Sequence, residues 1–302
     1  MYVVVVLSFV IFAGVRFAPG DPAVTRLGME ATREALEQER KDLGLDKPIY
    51  VQYMIWVGKI FKGDLGVSLS YSSDHPVSSL VWEKFKRTIP LTISAMTVAI
   101  VVSIPLGIIA GLRPFSLLDN VISAFSLFGV AAPSFWIGLM MILLFAVQLG
   151  WLPTSGYGPI DGGFQWKYFI LPSIALGVQL MGALTRYMRS GMLDVMSADY
   201  IRTAKAKGLP YRLIIVRHAI KNAMLSVVTV IALDIGGLLA GALVTETVFR
   251  WPGVGLLLVD AIQGRDYAVI QMIVLITSVV YVSVNLMADI MYGYLDPRIR
   301  YE

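Results

Sequence analysis

Residues 199–210 read Asp-Tyr-Ile-Arg-Thr-Ala-Lys-Ala-Lys-Gly-Leu-Pro, a short basic helix with its own stop signal between two long apolar runs. Asp199 suits the N-cap, Gly208 the left-handed position that closes a helix, and Pro210 the point where a helix cannot continue. Thr203, Ala204 and Ala206 are small, so the backbone can approach a partner closely. Arg202 and Lys205 share a face, and Lys207 adds charge where the helix dipole favours cations. A membrane protein seldom needs a capped two-turn helix outside the bilayer unless something docks on it.

The membrane setting follows from composition. The 302 residues are 57% hydrophobic and 15% charged, with a mean hydropathy of +0.71, whereas soluble domains carry about 25% charged residues. There is no cysteine, which excludes disulfides and thiolate metal sites, and two histidines, His75 and His218, do not make a histidine-rich site. The net charge of +4 would invite a nucleic-acid partner in a soluble chain; here its distribution points to the membrane instead.

Six apolar runs stand out, at 2–18, 91–112, 121–147, 168–185, 223–245 and 268–288. Crossing the hydrocarbon takes about 20 helical residues, with about 17 tolerated, so the first and fourth are marginal. Pro90, Pro105, Pro133 and Pro172 lie in or at the ends of these runs, where a bilayer protein tolerates them as kinks. The first run has no basic start and a poor cleavage site at Phe17-Ala18-Pro19-Gly20, so it reads as a retained helix. The missing basic start also suggests a longer natural N-terminus.

Orientation comes from the short loops. Residues 186–222 hold Arg186, Arg189, Arg202, Lys205, Lys207, Arg212, Arg217 and Lys221, and Arg113, Arg298 and Arg300 fall on the same side. Lys167, Arg250 and Arg265 fall on the other. Eleven basic residues against three place the 186–222 loop and both termini in the cytoplasm. Trp151, Tyr157, Trp166 and Tyr168 on the outer side, with Tyr292 and Tyr294 at the inner end, suit either interfacial belts or ordinary packing.

The outer segment, 19–90, predicts a helix over 33–43 stopped by Gly44, with Glu37 and Lys41 at i,i+4 spacing. A second helix over 49–62 carries Tyr50, Tyr53, Trp56, Val57 and Ile60 at helical spacing. That face fits the headgroup layer or a neighbouring helix of the same chain equally well. Gly63-Asp64-Leu65-Gly66 and Ser68 to Ser73 read as turn and loop. The whole is therefore all-α, with residues 1–90 as first helix plus outer segment and 91–302 as a five-helix membrane domain.

Within the 186–222 loop, Leu213, Ile214 and Ile215 precede an amphipathic run, Arg217 to Asn222, that leads into the fifth helix. A solvated basic loop, or one held to anionic lipid, is the plain alternative. Capping, small residues and a two-helix layout argue for docking. The Asp-Tyr-Ile-Arg-Thr-Ala-Lys-Ala-Lys-Gly stretch is similar to the cytoplasmic "EAA" loop of ABC importer permeases, with Arg202 and Thr203 as the peptide branch has them. Other matches are Pro19-Gly20-Asp21-Pro22, Leu43 to Pro48, Gly63 to Gly66, Pro133-Ser134-Phe135-Trp136 and Gly150 to Pro153. Glu246 to Phe249, Trp251-Pro252-Gly253, Arg265-Asp266-Tyr267 and Asp296 to Tyr301 continue the order. The chain thus resembles, over nearly its whole length, the permease subunit of a bacterial dipeptide, oligopeptide, nickel or glutathione importer. Ser226 departs from the pattern where proline is expected.

The resemblance implies a type I importer permease in the bacterial inner membrane. It implies a second, similar permease, two cytoplasmic ATPases that hold ATP and Mg, and an external solute-binding protein. It assigns ATPase coupling to Asp199, Tyr200, Arg202, Thr203, Ala204, Ala206 and Gly208, and no cofactor to this chain. The sole Gly-Lys pair, Gly58-Lys59, lacks the phosphate-loop context, with Tyr53 where the first glycine belongs.

Asp234 lies mid-helix in the fifth run, where an unpaired carboxylate costs about 2.5–3.5 kcal/mol. It fits a translocation pathway or a partner-satisfied helix contact. Glu246 and Asp289, near helix ends, are expected to reach water. Gly237 and Gly241 make a small-residue face, for contact across the pathway or packing within the subunit. Two other functions compete with this one. An ion-coupled secondary transporter would use Asp234, but no internal repeat is visible. An intramembrane enzyme lacks a zinc-protease helix, a nucleophile elbow and any histidine in an apolar run.

Overall fold

Apolar runs in a bilayer must close their backbone hydrogen bonds internally, and this chain does so with helices. The computed structural model describes residues 2–17, 22–28, 31–42, 44–68, 75–158 and 165–295. In order these form α1 (Tyr2–Phe17), α2 (Pro22–Leu27), α3 (Arg33–Asp42), α4 (Ile49–Phe61), α5 (Val77–Leu112), α6 (Leu117–Ala131) and α7 (Ser134–Met141). Then come α8 (Lys167–Ser197), α9 (Asp199–Ala206), α10 (Tyr211–Leu213), α11 (Lys221–Val248), α12 (Val254–Gln263) and α13 (Tyr267–Leu295). Wider π-helical turns extend α7 through Ile142–Gln148 and join α10 to α11 through Ile214–Ile220. Among the described residues the sole β pairing is one bridge, Val67 to Pro76. The stretches at 19–21 and 296–301 that carried part of the resemblance, residue 43, and 69–74 of the serine-rich loop lie outside the described residues.

By length and apolarity four helices can cross a bilayer, α5, α8, α11 with its preceding turns, and α13, and a fifth if α6 and α7 are one broken crossing. The expected six is not reached on these grounds, because α1 has 16 residues against the about 20 required. Run 121–147 is broken rather than kinked. Its two arms bend by 107° at the Ala132-Pro133 step, where Pro133 cannot donate to the preceding turn. Gln179 donates to the Ala132 carbonyl at 3.4 Å, satisfying the exposed backbone at the apex. Pro90, Pro105 and Pro172 sit inside continuous helices, as expected.

The chain divides into two units. The first is Met1–Thr88 with Pro252–Val282. In it α4 lays its aromatic face on α1: Tyr53 meets Phe9 at 5.3 Å and Phe12 at 5.6 Å, and Trp56 meets Phe12 at 5.5 Å. The Tyr53 and Ser8 hydroxyls lie 2.8 Å apart. Packing on the chain's own helix accounts for this face; Tyr50, Met54 and Phe61 stay exposed. In α3 the ion pair runs from Arg33 to Glu37 at 3.3 Å. A separate core joins Val77, Val81 and Phe85 to Leu257, Val269 and Ile273. Asp266, fully buried, accepts from Ser68 Oγ at 2.6 Å and from the Val269 N–H at 3.2 Å. Ser68, just after the Gly63–Gly66 turn, is thus tied to the Arg265-Asp266-Tyr267 corner, far away in sequence.

The second unit is Ile89–Trp251 with Ser283–Glu302. Its centre is α8, whose most apolar stretch is 72% buried against 22–28% for the other long helices. Small residues make this possible. A Cβ on Gly177 would stand 2.6 Å from the Ala95 carbonyl oxygen, and one on Gly182 2.5 Å from that of Ser126. Phe169 and Tyr157 meet Trp251 edge-to-face at 4.6 and 4.9 Å, so Tyr157 packs against the core, whereas Trp151 and Trp166 are exposed.

One strained residue marks the turn before α6. Phe115 has φ +61° with its side chain 90% exposed, so it bears left-handed strain with no packing in return. Phe115→Gly is expected to stabilise the protein by about 1 kcal/mol, seen as a rise of a few degrees in the thermal unfolding midpoint in detergent. An unchanged or lower midpoint would contradict it.

Candidate coupling site

The docking segment folds as a separate short helix because both its ends are specified. Ala198 is extended, with φ −71° and ψ 148°, and is the N-cap; Asp199 is the first helical residue and makes no capping bond. The expectation for Asp199 is corrected by one position. Its carboxylate still faces the positive end of the dipole, and it pairs with Arg202 at 3.5 Å, both side chains well exposed.

At the other end Gly208 has φ +73°. Its N–H donates to Lys205 at 3.0 Å and the Leu209 N–H to Ala204 at 3.3 Å. This is the two-bond glycine cap, with its apolar clasp supplied by Leu209.

The helix has two faces. Ile201, fully buried, and Ala204 pack with Ile214, Val195 and Leu209. Ala204 therefore seats α9 on its own chain, not in a partner as its size suggested. Asp199, Tyr200, Arg202, Thr203, Lys205, Ala206 and Gly208 are exposed. The Tyr200 hydroxyl accepts from Asn222 at 3.0 Å, and Asn222 also donates to the His218 carbonyl at 2.9 Å. Tyr200 thereby ties α9 to the first turn of α11, across the π-helical turn between them.

Asp234 is half-buried on α11, over Gly237, whose added Cβ would stand 3.2 Å from Asp234 Oδ1. Ser226, Leu233, Gly237 and Val244 are exposed along the same helix, so the chain's own described helices leave this side uncovered. Gly241 lies on that helix, with its surroundings outside the described residues, as are those of Asp289. Glu246 corrects the expectation that it reaches water. It is fully buried, because the chain turns back so that Trp251 donates to the Glu246 carbonyl at 2.8 Å and Phe249 and Trp251 are buried beside it.

Sequence reading missed a buried ion pair. Arg189 of α8 grips Asp119 of α6 through two bonds, Nε to Oδ1 at 2.5 Å and Nη2 to Oδ2 at 2.8 Å. Asp119 also accepts from the Phe115 N–H at 2.9 Å, and Ser116 caps its backbone at 3.2 Å. In the sequence Arg189 is one basic loop residue among eight; the Ser116-x-x-Asp119 spacing is the local signal present there.

The family model described as binding-protein-dependent transport system inner membrane component matches residues 103–301, and its N-terminal companion matches residues 1–97. The chain belongs to this permease family. Similar curated permeases include the oligopeptide transport system permease AppB of Bacillus subtilis, 40% identical over 99% of this chain and 94% of that one. The dipeptide permease DppB of Alkalihalophilus pseudofirmus is 39% identical over 99% and 96%. The glutathione permease GsiC of Escherichia coli K12 is 38% identical over 98% and 94%.

Among solved structures, the inward-facing MetNI methionine ABC transporter aligns with TM-score 0.61 at 15% identity, over 74% of this chain and 100% of that one. An amino acid ABC transporter solved with histidines gives 0.56 at 13%, over 72% and 94%. These two establish the fold. The permease is thus an all-α, multi-pass subunit of an ABC importer in the inner membrane, a transport component and not an enzyme.

Proposed function

We propose that this permease carries peptides inward, paired with a second, homologous permease and driven by two cytoplasmic ATPases that hold ATP and Mg. An external solute-binding protein delivers the cargo. The oligopeptide, dipeptide and glutathione names of the relatives support the peptide class, and a nickel chelate is the remaining alternative cargo. The single observation that carries the mechanism is the division of α9 into a face seated on Ile214 and a polar face left free.

The free face, Asp199, Arg202, Thr203 and Ala206, with the exposed ring of Tyr200 at its edge, meets the ATPase on the cytoplasmic side, where both termini also lie. Because Ile201, Ala204 and Tyr200 fasten α9 to the helices above it, closure of the motors displaces α9 as a rigid lever. The displacement rocks the bundle between inward-open and outward-open states. On the opposite, uncovered side of α11, Asp234 faces the pathway and attracts the ammonium group of a peptide, with Gly237 and Gly241 allowing close approach of the second permease.

Reconstitution with the partner permease, the ATPases and the loaded binding protein tests this. Labelled di- and tripeptides should accumulate in proteoliposomes only with ATP inside the compartment that α9 faces. Uptake that follows a proton or sodium gradient without ATP would overturn the reading.

A further inference from the structure

Three helices grip the same short stretch of α8 just above the coupling helix. From α5, Gly107 and Gly111 lie so close that an added Cβ on each would stand 2.5 Å from the Cβ of Met188 and Met192, both fully buried. From α11, Ala223 approaches Gly191, whose added Cβ would be 3.1 Å from the Ala223 carbonyl oxygen. From α6, Asp119, with a side chain only 2% exposed, holds Arg189 through the two-bond pair. One residue, Ala198, then separates α8 from α9.

We propose that residues 188–192 are the fulcrum on which the coupling lever turns, and that Asp119 and Arg189 are its positioning residues. This rests on the functional reading above. Two close backbone contacts fix where α8 pivots, but apolar contacts alone let helices slide and rotate. The bidentate pair adds a fixed distance and a fixed orientation between α6 and α8. A buried ion pair contributes little net stability compared with apolar residues of the same volume. Its presence here is explained by geometry: the start of α6, the 113–116 turn it organises, and the end of α8 move as one block. Beyond Arg189, α8 runs on to Ser197, about 12 Å of helix, before the extended Ala198 turns the chain into α9.

The reconstituted complex provides the test. Asp119→Asn keeps the size and an acceptor for the Phe115 N–H but removes the charge. It should assemble with the ATPases and hydrolyse ATP at the basal rate. Stimulation by loaded binding protein, and peptide uptake, should fall roughly tenfold. Stimulation and uptake within about twofold of the unsubstituted complex, or a fall merely in proportion to assembled complex, overturn the proposal.

Should Asp119→Asn fail to assemble, a second measurement keeps the ion pair intact. The chain has no cysteine, so spin labels go on Leu117→Cys and Tyr187→Cys, both exposed sites. The distance between them should be the same in nucleotide-free and vanadate-trapped complexes. A shift between the two states in a complex that transports overturns the fulcrum alone. An unsubstituted complex without ATP-driven uptake sinks the functional reading first.

Discussion

Gly208→Pro is expected to abolish stimulated ATP hydrolysis and uptake in a complex that still assembles in the membrane. Gly208 sits at φ +73°, whereas proline is held near −65°. Its N–H closes the cap onto Lys205, and proline has none. Both defects act at one point, the junction that aims α9 at its partner. Gly208→Asn is the control, since asparagine accepts left-handed backbone and keeps the donor, and it should retain most activity. Arg202→Glu reaches the same site by charge alone. The Arg202–Asp199 pair is well exposed and adds little to folding, so a loss of coupling there reports on docking. Normal uptake by Gly208→Pro would remove α9 from the mechanism.

Gly182→Val is expected to prevent the second unit from packing. A Cβ there would lie 2.5 Å from the Ser126 carbonyl oxygen and 3.1 Å from the Val130 N. Backbone cannot swing aside as a side chain can, so α6 and α8 would have to separate. Overpacking costs about 1–3 kcal/mol where side chains can yield, and here the upper end or beyond is expected. Because α8 also carries Arg189 and leads into α9, the separation would propagate to the coupling site. Thermal unfolding in detergent, with the yield of monodisperse protein, measures it. Gly14→Val, where an added Cβ meets nothing within 4 Å, is the matched control. Equal midpoints for the two would refute the close-contact account.

Much of this is legible in the sequence itself. The apolar runs placed α5, α8, α11 and α13, and Gly208 with Pro210 placed the end of α9, because period and backbone preference are local properties. What escaped was non-local. Pro133 resembles the other prolines in sequence; what sets it apart is the 107° bend and the Gln179 amide that reaches the Ala132 carbonyl from α8. Asp119 was a single carboxylate until α8 brought Arg189 against it. Ala204 was one small residue among several, and which of them faces inward depends on where Ile214 returns. The small-residue spacing of Gly237 and Gly241 recurs at Gly107 and Gly111, which close on α8 of this chain.

The ion pair also fixes membrane parity. Asp119 and Arg189 touch, so the beginning of α6 and the end of α8 share one depth. Arg189 stands 22 residues beyond Lys167, the first residue of α8, a climb of about 33 Å, which exceeds the about 30 Å of hydrocarbon. The chain between Asp119 and Lys167 must therefore descend that whole distance. We expect α6 and α7, with the segment that follows them, to make that crossing rather than return as a re-entrant hairpin. Topology reporters fused at Arg113 and at residue 198 should accordingly signal the same compartment, and one at Trp151 the other.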